Sequence, residues 1–241
     1  MNFRRVLLAI MLFGIAFGCV EAAVVVYLRT LGEPVREKVL AGRSHDEVFP
    51  LLTLEEWQAA DVPFTRIATT ELVRELATIL MLAAIGLAYA RNSRQWLAGF
   101  MIAFGMWDIF YYVFLKLFVG WPGSLWTWDL LFLIPVPWSG PVITPVLVSL
   151  AMICIGIAIL NRELAGIPVH LRLRHWAVIV AGSLVVIVAF CWDFRGTARG
   201  DMPNPFNWPL FLLGLAIGVS GFAQALYRRE GSEHQLQAAA E

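Results

Sequence analysis

The sequence predicts an all-α integral membrane protein, a six-helix transmembrane bundle with a further re-entrant or interfacial helix on its outer side. Three observations predict it. Hydrophobic residues make up 59% of the 241 residues and charged ones only 15%, against roughly 45–50% and about 25% in a soluble domain. Six mostly apolar stretches reach the length of about 20 residues that a helix needs to cross a bilayer. Most of the ten tryptophans fall near the ends of these stretches, where indole rings favour the headgroup level. The net charge is zero. With so much apolar surface, this excludes a disordered chain, a nucleic-acid binder and an ordinary soluble enzyme.

Span one covers residues 6–28, after Arg4 and Arg5. Val20-Glu21-Ala22 resembles a leader cleavage site, but the apolar run continues through Val26 and Leu28. That is longer than the core of a signal peptide, about 7–15 residues, so a retained helix is expected. A charged outer loop follows over residues 29–66. Within it Leu52 to Trp57 reads as a short surface helix, with Thr53 as N-cap and Glu56 three residues on, the spacing of a capping box.

Spans two and three cover residues 67–90 and 97–119. Residues 121–138 then form the outer re-entrant segment. Ser124 is placed to cap a short helix over 125–134, and Pro135 and Pro137 are placed to end it. About ten residues cannot cross a bilayer. The segment should pack over the bundle, because irregular backbone at membrane depth survives only against protein or water. Spans four, five and six cover 139–161, 175–193 and 208–227. Residues 1–229 thus make a single transmembrane domain, and 230–241 a polar cytoplasmic tail.

Orientation follows from Lys and Arg near the span ends. With both termini cytoplasmic, the inner segments hold Arg4, Arg5, Arg91, Arg94, Arg162, Arg172, Arg174, Arg228 and Arg229. The loop between spans three and four has no Lys or Arg beyond Lys116. A multi-pass protein of the cytoplasmic (inner) membrane is expected, with Trp57 and Ser124 outside and Arg94 and Arg172 inside.

The informative residues are the ionisable ones inside the spans, which are costly there and mark a functional site by default. These are Glu21 in span one, Glu71, Arg74 and Glu75 in span two, and Asp108 and Lys116 in span three; Asp129 lies in the re-entrant segment. At a rise of about 1.5 Å per residue, Glu21 lies roughly 10 Å below the outer boundary, and Glu71 and Glu75 roughly 6 and 12 Å. All fall in the outer half or near the middle. Glu21 follows the small-residue stripe Gly14, Gly18, Ala22, which marks a close helix contact. Glu71, Glu75 and Thr78 share one face of span two, and Asp108, Tyr112 and Lys116 one face of span three, with Tyr111 beside them.

Three polar faces should therefore converge on an outward-facing ligand or ion site made of Glu21, Glu71, Glu75, Asp108 and Asp129. Arg74, Tyr111, Tyr112, Lys116 and Trp128 are its expected supports. Acids outnumber bases there, and a surplus buried carboxylate takes up a proton or a cation. If a metal binds, oxygen donors such as Glu71, Glu75 and Asp108 suit a hard divalent cation, Ca²⁺, Mg²⁺ or Mn²⁺. No cofactor is expected. Haem is disfavoured because His45, His170, His175 and His234 all lie away from the carboxylates, and His170 and His175 read as surface residues. Cys19, Cys154 and Cys191 are scattered and form no close pair.

Gly218-Val219-Ser220-Gly221 is similar to the GxSG of rhomboid intramembrane proteases over four residues. Such an enzyme needs a histidine on a later span to activate the serine. Only His234 follows, in the tail, so protease activity is not expected, and Gly214, Gly218 and Ala225 read instead as a helix-packing stripe. Three functional expectations remain. The leading one is a carrier or coupling protein whose carboxylates bind protons or cations. The second is a non-catalytic subunit of a larger membrane complex, with the acids as a structural ion-pair network. The third is a membrane enzyme acting on a lipid-like substrate, against which the lack of an evident nucleophile weighs. The expected partners are the bilayer and other membrane subunits.

Overall fold

The computed structural model describes residues 2–39, 64–167, 169–198 and 205–227. The chain forms α1 (Phe3–Val39), α2 (Phe64–Leu87), α3 (Ser93–Val119), β1 (Trp128–Phe132), β2 (Trp138–Pro141), α4 (Ile143–Leu164), α5 (Leu173–Phe190), the short α6 (Phe194–Ala198) and α7 (Trp208–Tyr227). Five of these helices, α1, α3, α4, α5 and α7, are long and apolar enough to cross a membrane. The expected surface helix at Leu52 to Trp57 and the polar tail 230–241 lie outside the described residues.

Large apolar side chains face outward all along the helices. Leu8, Leu12 and Tyr27 on α1, Leu117 on α3, Leu184 on α5 and Leu213 on α7 are each more than half exposed. That is the surface of a helix solvated by lipid rather than by water. Close helix contacts are made by small residues. A methyl group on Gly18 of α1 would lie 2.7 Å from the Trp107 carbonyl oxygen of α3. One on Gly105 of α3 would lie 2.7 Å from the Ser149 carbonyl oxygen of α4. The stripe on α7 behaves as expected, with Gly214 set against the Val186 amide of α5. The result is two helix groups: α1, α3 and α4 pack on one another, with α2 on α3, while α5 packs on α7.

Two elements depart from the sequence reading. First, α1 runs to Val39, eleven residues beyond the expected end of span one at residue 28. Leu31, Val35 and Val39 continue a helical four-residue spacing, which the charged residues between them obscure. Second, residues 128–141 form an antiparallel hairpin, not a re-entrant or interfacial helix. The register pairs Trp128 with Pro141, Asp129 with Gly140, Leu130 with Ser139 and Phe132 with Trp138.

The Ser124 hydroxyl does not cap a helix. It accepts the Trp126 amide at 3.2 Å, and the Thr127 hydroxyl accepts the Ser124 amide at 3.0 Å, closing a turn. Pro135 and Pro137 deny the donors that a helix through this run would need, and the chain reverses instead. The flanking backbone is also paired, Val142 to Thr127 at 3.0 Å and Ile143 to Leu125 at 2.8 Å. Irregular backbone near the bilayer must be satisfied in this way.

The hairpin joins the two helix groups. Phe132 lies 6.3 Å from Trp107 of α3, while Trp138 stacks on Phe190 of α5 at 6.2 Å. The buried Ser139 and Thr197 hydroxyls, 3.2 Å apart, tie β2 to α6. At the opposite end, Glu163 of α4 accepts the Arg94 guanidinium at 2.6 Å, the Asn92 amide at 3.0 Å and the Val169 amide at 2.7 Å.

Candidate functional site

The hairpin half of the molecule gathers the ionisable residues of the helices into two neighbouring groups. The first lies between α1 and α2. The Arg74 guanidinium bridges two acids, pairing directly with Glu21 of α1 and, at 2.8 Å, with Glu71 one turn back on its own helix. The second oxygen of Glu21 accepts the Thr78 hydroxyl at 3.4 Å. Thr78 lies one helical turn beyond Arg74, so α2 presents a donor pair to one carboxylate.

Glu75 belongs to this group but is held differently. It is buried, and one oxygen accepts the Leu133 backbone amide at 2.9 Å. Leu133 directly follows β1, so this bond fixes the hairpin to α2. The other oxygen of Glu75 is buried without a hydrogen-bond partner among the described residues. Among the described residues Glu75 forms no salt bridge, and Arg74 acts on it only through space. A buried carboxylate oxygen without a donor is costly if charged and much less so if protonated.

The second group lies between α3, α4 and the hairpin. Asp129 of β1 is buried and accepts the Tyr112 hydroxyl of α3 at 2.9 Å. Burial pushes the Asp129 carboxyl up to about 6, against the opposing pull of the Arg29 guanidinium and of the Tyr112 and Leu130 donors. Arg29 sits 4.2 Å over the Trp121 ring, a cation–π contact that holds it at this end of α1. Asp108, one turn before Tyr112 on α3, is also buried and accepts the Ser149 hydroxyl of α4 at 2.8 Å. Tyr111 stands edge-on to Tyr112 at 4.9 Å and within the fields of Glu21, Arg74, Arg29 and Asp129. It therefore connects the two groups.

The expected site residues thus divide. Glu21, Glu71, Arg74 and Glu75 come together, as do Asp108, Tyr112 and Asp129, with Tyr111 between. Lys116 and Trp128 serve other ends. Lys116 caps its own helix, donating to the Gly120 and Pro122 carbonyls at 2.9 Å each. Trp128 projects from β1 against Phe206 at 6.1 Å. His175, expected at the surface, is buried. Its Nδ1 accepts the Arg172 amide at 3.2 Å and so caps the start of α5.

Sequence reasoning missed three participants. Arg29 falls in the expected loop by sequence, but it lies eight residues beyond Glu21 on the same helix once α1 is extended. Ser149 and the Leu133 amide carry no local signal, since only the packing of α4 and the reversal of the hairpin bring them in.

A cavity of about 350 Å³ opens between the two helix groups beneath the hairpin. Asp108, Ser149, Phe104, Phe132, Trp138 and Gly218 are among its walls. Of the expected acids, only Asp108 reaches it. Among the described residues, no group of three or more His, Cys, Asp or Glu is placed to hold a metal ion. The Ser220 hydroxyl donates to the Ile217 carbonyl of its own helix at 2.7 Å, the bond of a packing helix. No family model, curated protein or solved structure matches the chain.

The environment of Asp129 fixes a pH dependence. Its carboxyl titrates near 6 in the fold and at 3.8 when exposed, so between those values the folded state holds more protons than the unfolded one. Stability contributed by this group is therefore lost as pH rises through that window, by an amount of order 3 kcal/mol at most. Tyr112, Tyr111 and Asp108 from α3 and Arg29 from α1 are the ionisable groups that face it. Asp129→Asn keeps the acceptor for Tyr112 and removes the titration. The melting temperature of Asp129→Asn relative to wild type should rise as pH goes from about 4 to 6. A difference that stays constant across that range contradicts the burial of this carboxylate.

Proposed function

We propose that this chain is a multi-pass membrane protein that binds protons at buried carboxylates of its hairpin half and uses them in transport or coupling. The observation that carries this reading is the state of Glu75. Its second oxygen is buried without a donor, and among the described residues no cation pairs with it. Asp108 is likewise buried, with a serine hydroxyl rather than a base beside it. Arg74 gives its hydrogen bonds to Glu21 and Glu71 and acts on Glu75 only through space. Acids held this way change charge by gaining or losing a proton, the event a coupled membrane protein requires.

A proton fits this arrangement better than a divalent ion. Ca²⁺, Mg²⁺ and Mn²⁺ each need several oxygens converging on one point. Here Glu71 is bound to Arg74, Glu75 to the hairpin amide and Asp108 to Ser149. The structural-network alternative takes Glu21, Arg74 and Glu71 as ion pairs and Glu75 as an acid that keeps its proton, and the melting experiment below separates it from a site whose proton is exchanged.

In this reading α2 is the sixth span. Its charges face α1 and the hairpin, while Leu72, Val73, Leu76, Leu80 and Met81 are exposed on its other side. Six spans would leave both termini on one side, and the arginines of the short connections favour the cytoplasm for that side. In a background free of the native cysteines, Ser124→Cys should react with an impermeant maleimide from outside intact cells. Labelling of Arg94→Cys from outside would invert the orientation.

Thermal melting tests the proton site. Wild type, melted from about pH 5 to 8 with and without Ca²⁺, Mg²⁺ or Mn²⁺, should gain nothing from the metals and should lose stability as pH rises. Glu75→Gln keeps volume and the acceptor for Leu133. It should fold with a change of about 1–3 kcal/mol in either direction and should show a flatter pH response. Stabilisation by a metal that vanishes in Glu75→Gln would replace the proton with a cation. A wild-type response flat in both would leave the acids structural.

A further inference from the structure

We propose that the cavity between the two helix groups binds a lipophilic organic cation, with Asp108 as counter-ion in exchange for the carboxyl proton. This rests on the proton reading of Asp108. The exchange balances: the carboxyl proton leaves to solvent, and the bound cation neutralises the carboxylate that remains.

Size, wall chemistry and charge carry the inference together. About 350 Å³ falls in the range of small-molecule sites, roughly 300–1,000 Å³. The walls are apolar and aromatic, with Phe104, Phe132, Trp138 and Phe190 among them. Asp108 is the one ionisable side chain among the described residues that line it. An anion there would meet a carboxylate with no basic group in the walls to offset it. A neutral apolar molecule would gain nothing from the carboxyl, whose one hydrogen bond is to Ser149. A cation with an apolar body meets ring faces that attract positive charge and a carboxylate that neutralises it.

The surroundings of Asp108 suit such an exchange. The ionisable groups facing it are Asp129 from β1 and Tyr112 from its own helix. The first is acidic and the second neutral, so neither competes as a counter-ion. α4 contributes the Ser149 hydroxyl, which positions the carboxylate. The walls from α5 and α7 contribute no ionisable residue. α1 packs on another face of α3 through Gly14 and Gly18, and its Glu21 is bound to Arg74.

Gly218 of α7 provides a control. It lines the cavity, and no atom lies within 4 Å of a Cβ built there. Gly218→Leu should therefore occupy the cavity without displacing the backbone, while Gly218→Ala should leave most of it open.

The test is equilibrium binding of radiolabelled tetraphenylphosphonium to the purified full-length protein, with tetraphenylborate as the control of like shape and opposite charge. Wild type and Gly218→Ala should bind the phosphonium saturably, more weakly as pH falls from about 8 to 5, and release a proton in weak buffer. Asp108→Asn, which keeps an acceptor for Ser149, should bind at least about tenfold more weakly. Gly218→Leu should not bind while melting like a folded protein, and the borate should not bind saturably. No saturable binding by wild type, equal binding of the borate, or wild-type affinity in both Asp108→Asn and Gly218→Leu would overturn the site. Binding that is independent of pH and releases no proton would keep the cation site but overturn the exchange, and with it the proton reading at Asp108.

Discussion

The arrangement of the hairpin half follows from one constraint: a carboxylate removed from water has to find a cation or a donor, or keep its proton. Glu21, Glu71, Glu75, Asp108 and Asp129 all lie there, and Arg74 and Arg29 are the bases beside them. Arg74 answers Glu21 and Glu71, and so pins α2 to α1. The remaining acids are answered by neutral donors. Glu75 takes the Leu133 amide, Asp129 the Tyr112 hydroxyl and Asp108 the Ser149 hydroxyl. Each of these bonds is also a fastening. The first two hold the hairpin to α2 and α3, and the third holds α3 to α4. The placement of the hairpin, and the cavity beneath it, therefore depend on how these acids are satisfied.

Much of this was legible in the sequence because the bilayer simplifies the code. Apolar runs near 20 residues, small-residue stripes and charges confined to one face each have a local signature. That Gly14 and Gly18 mark a close helix contact, and that Arg74 pairs within one turn of Glu71, can be read at helical spacing; which helix the glycines meet cannot. What could not be read was non-local or ambiguous in period. The run from Trp128 to Phe132 is short, aromatic and apolar, and such a run does not distinguish strand from helix by pattern alone. The prolines after it suit the end of a helix as well as the reversal of a hairpin, and here they mark the reversal. The polar stretch after Leu28 hid the continuation of α1 and with it Arg29. His175 looked like a loop residue because nothing local shows that its ring reaches back to the Arg172 amide. The cavity is a property of how α3 and α4 meet α5 and α7, and no single segment encodes it.

The two groups of acids have different characters. Glu21, Arg74, Glu71 and Thr78 make a satisfied ion-pair network, where removing one partner would strand a buried charge. Glu75 and Asp108 are held by single neutral donors, so a proton can come and go without breaking a salt bridge. Tyr111, between the groups, faces charges of both, so a change at one is felt by the other through space. Such a layout places a rigid, paired framework beside acids whose charge is free to change, and the proton reading rests on that contrast.

The most direct measurement is the infrared absorption of protonated carboxyl groups, identified by its shift in D₂O, in purified protein at neutral pH. The account predicts a protonated-carboxyl band in wild type that loses intensity in Glu75→Gln and again in Asp108→Asn, and that persists in Glu71→Gln, because Glu71 is ion-paired. Absence of the band in wild type, or a band unchanged in both Glu75→Gln and Asp108→Asn, would contradict it.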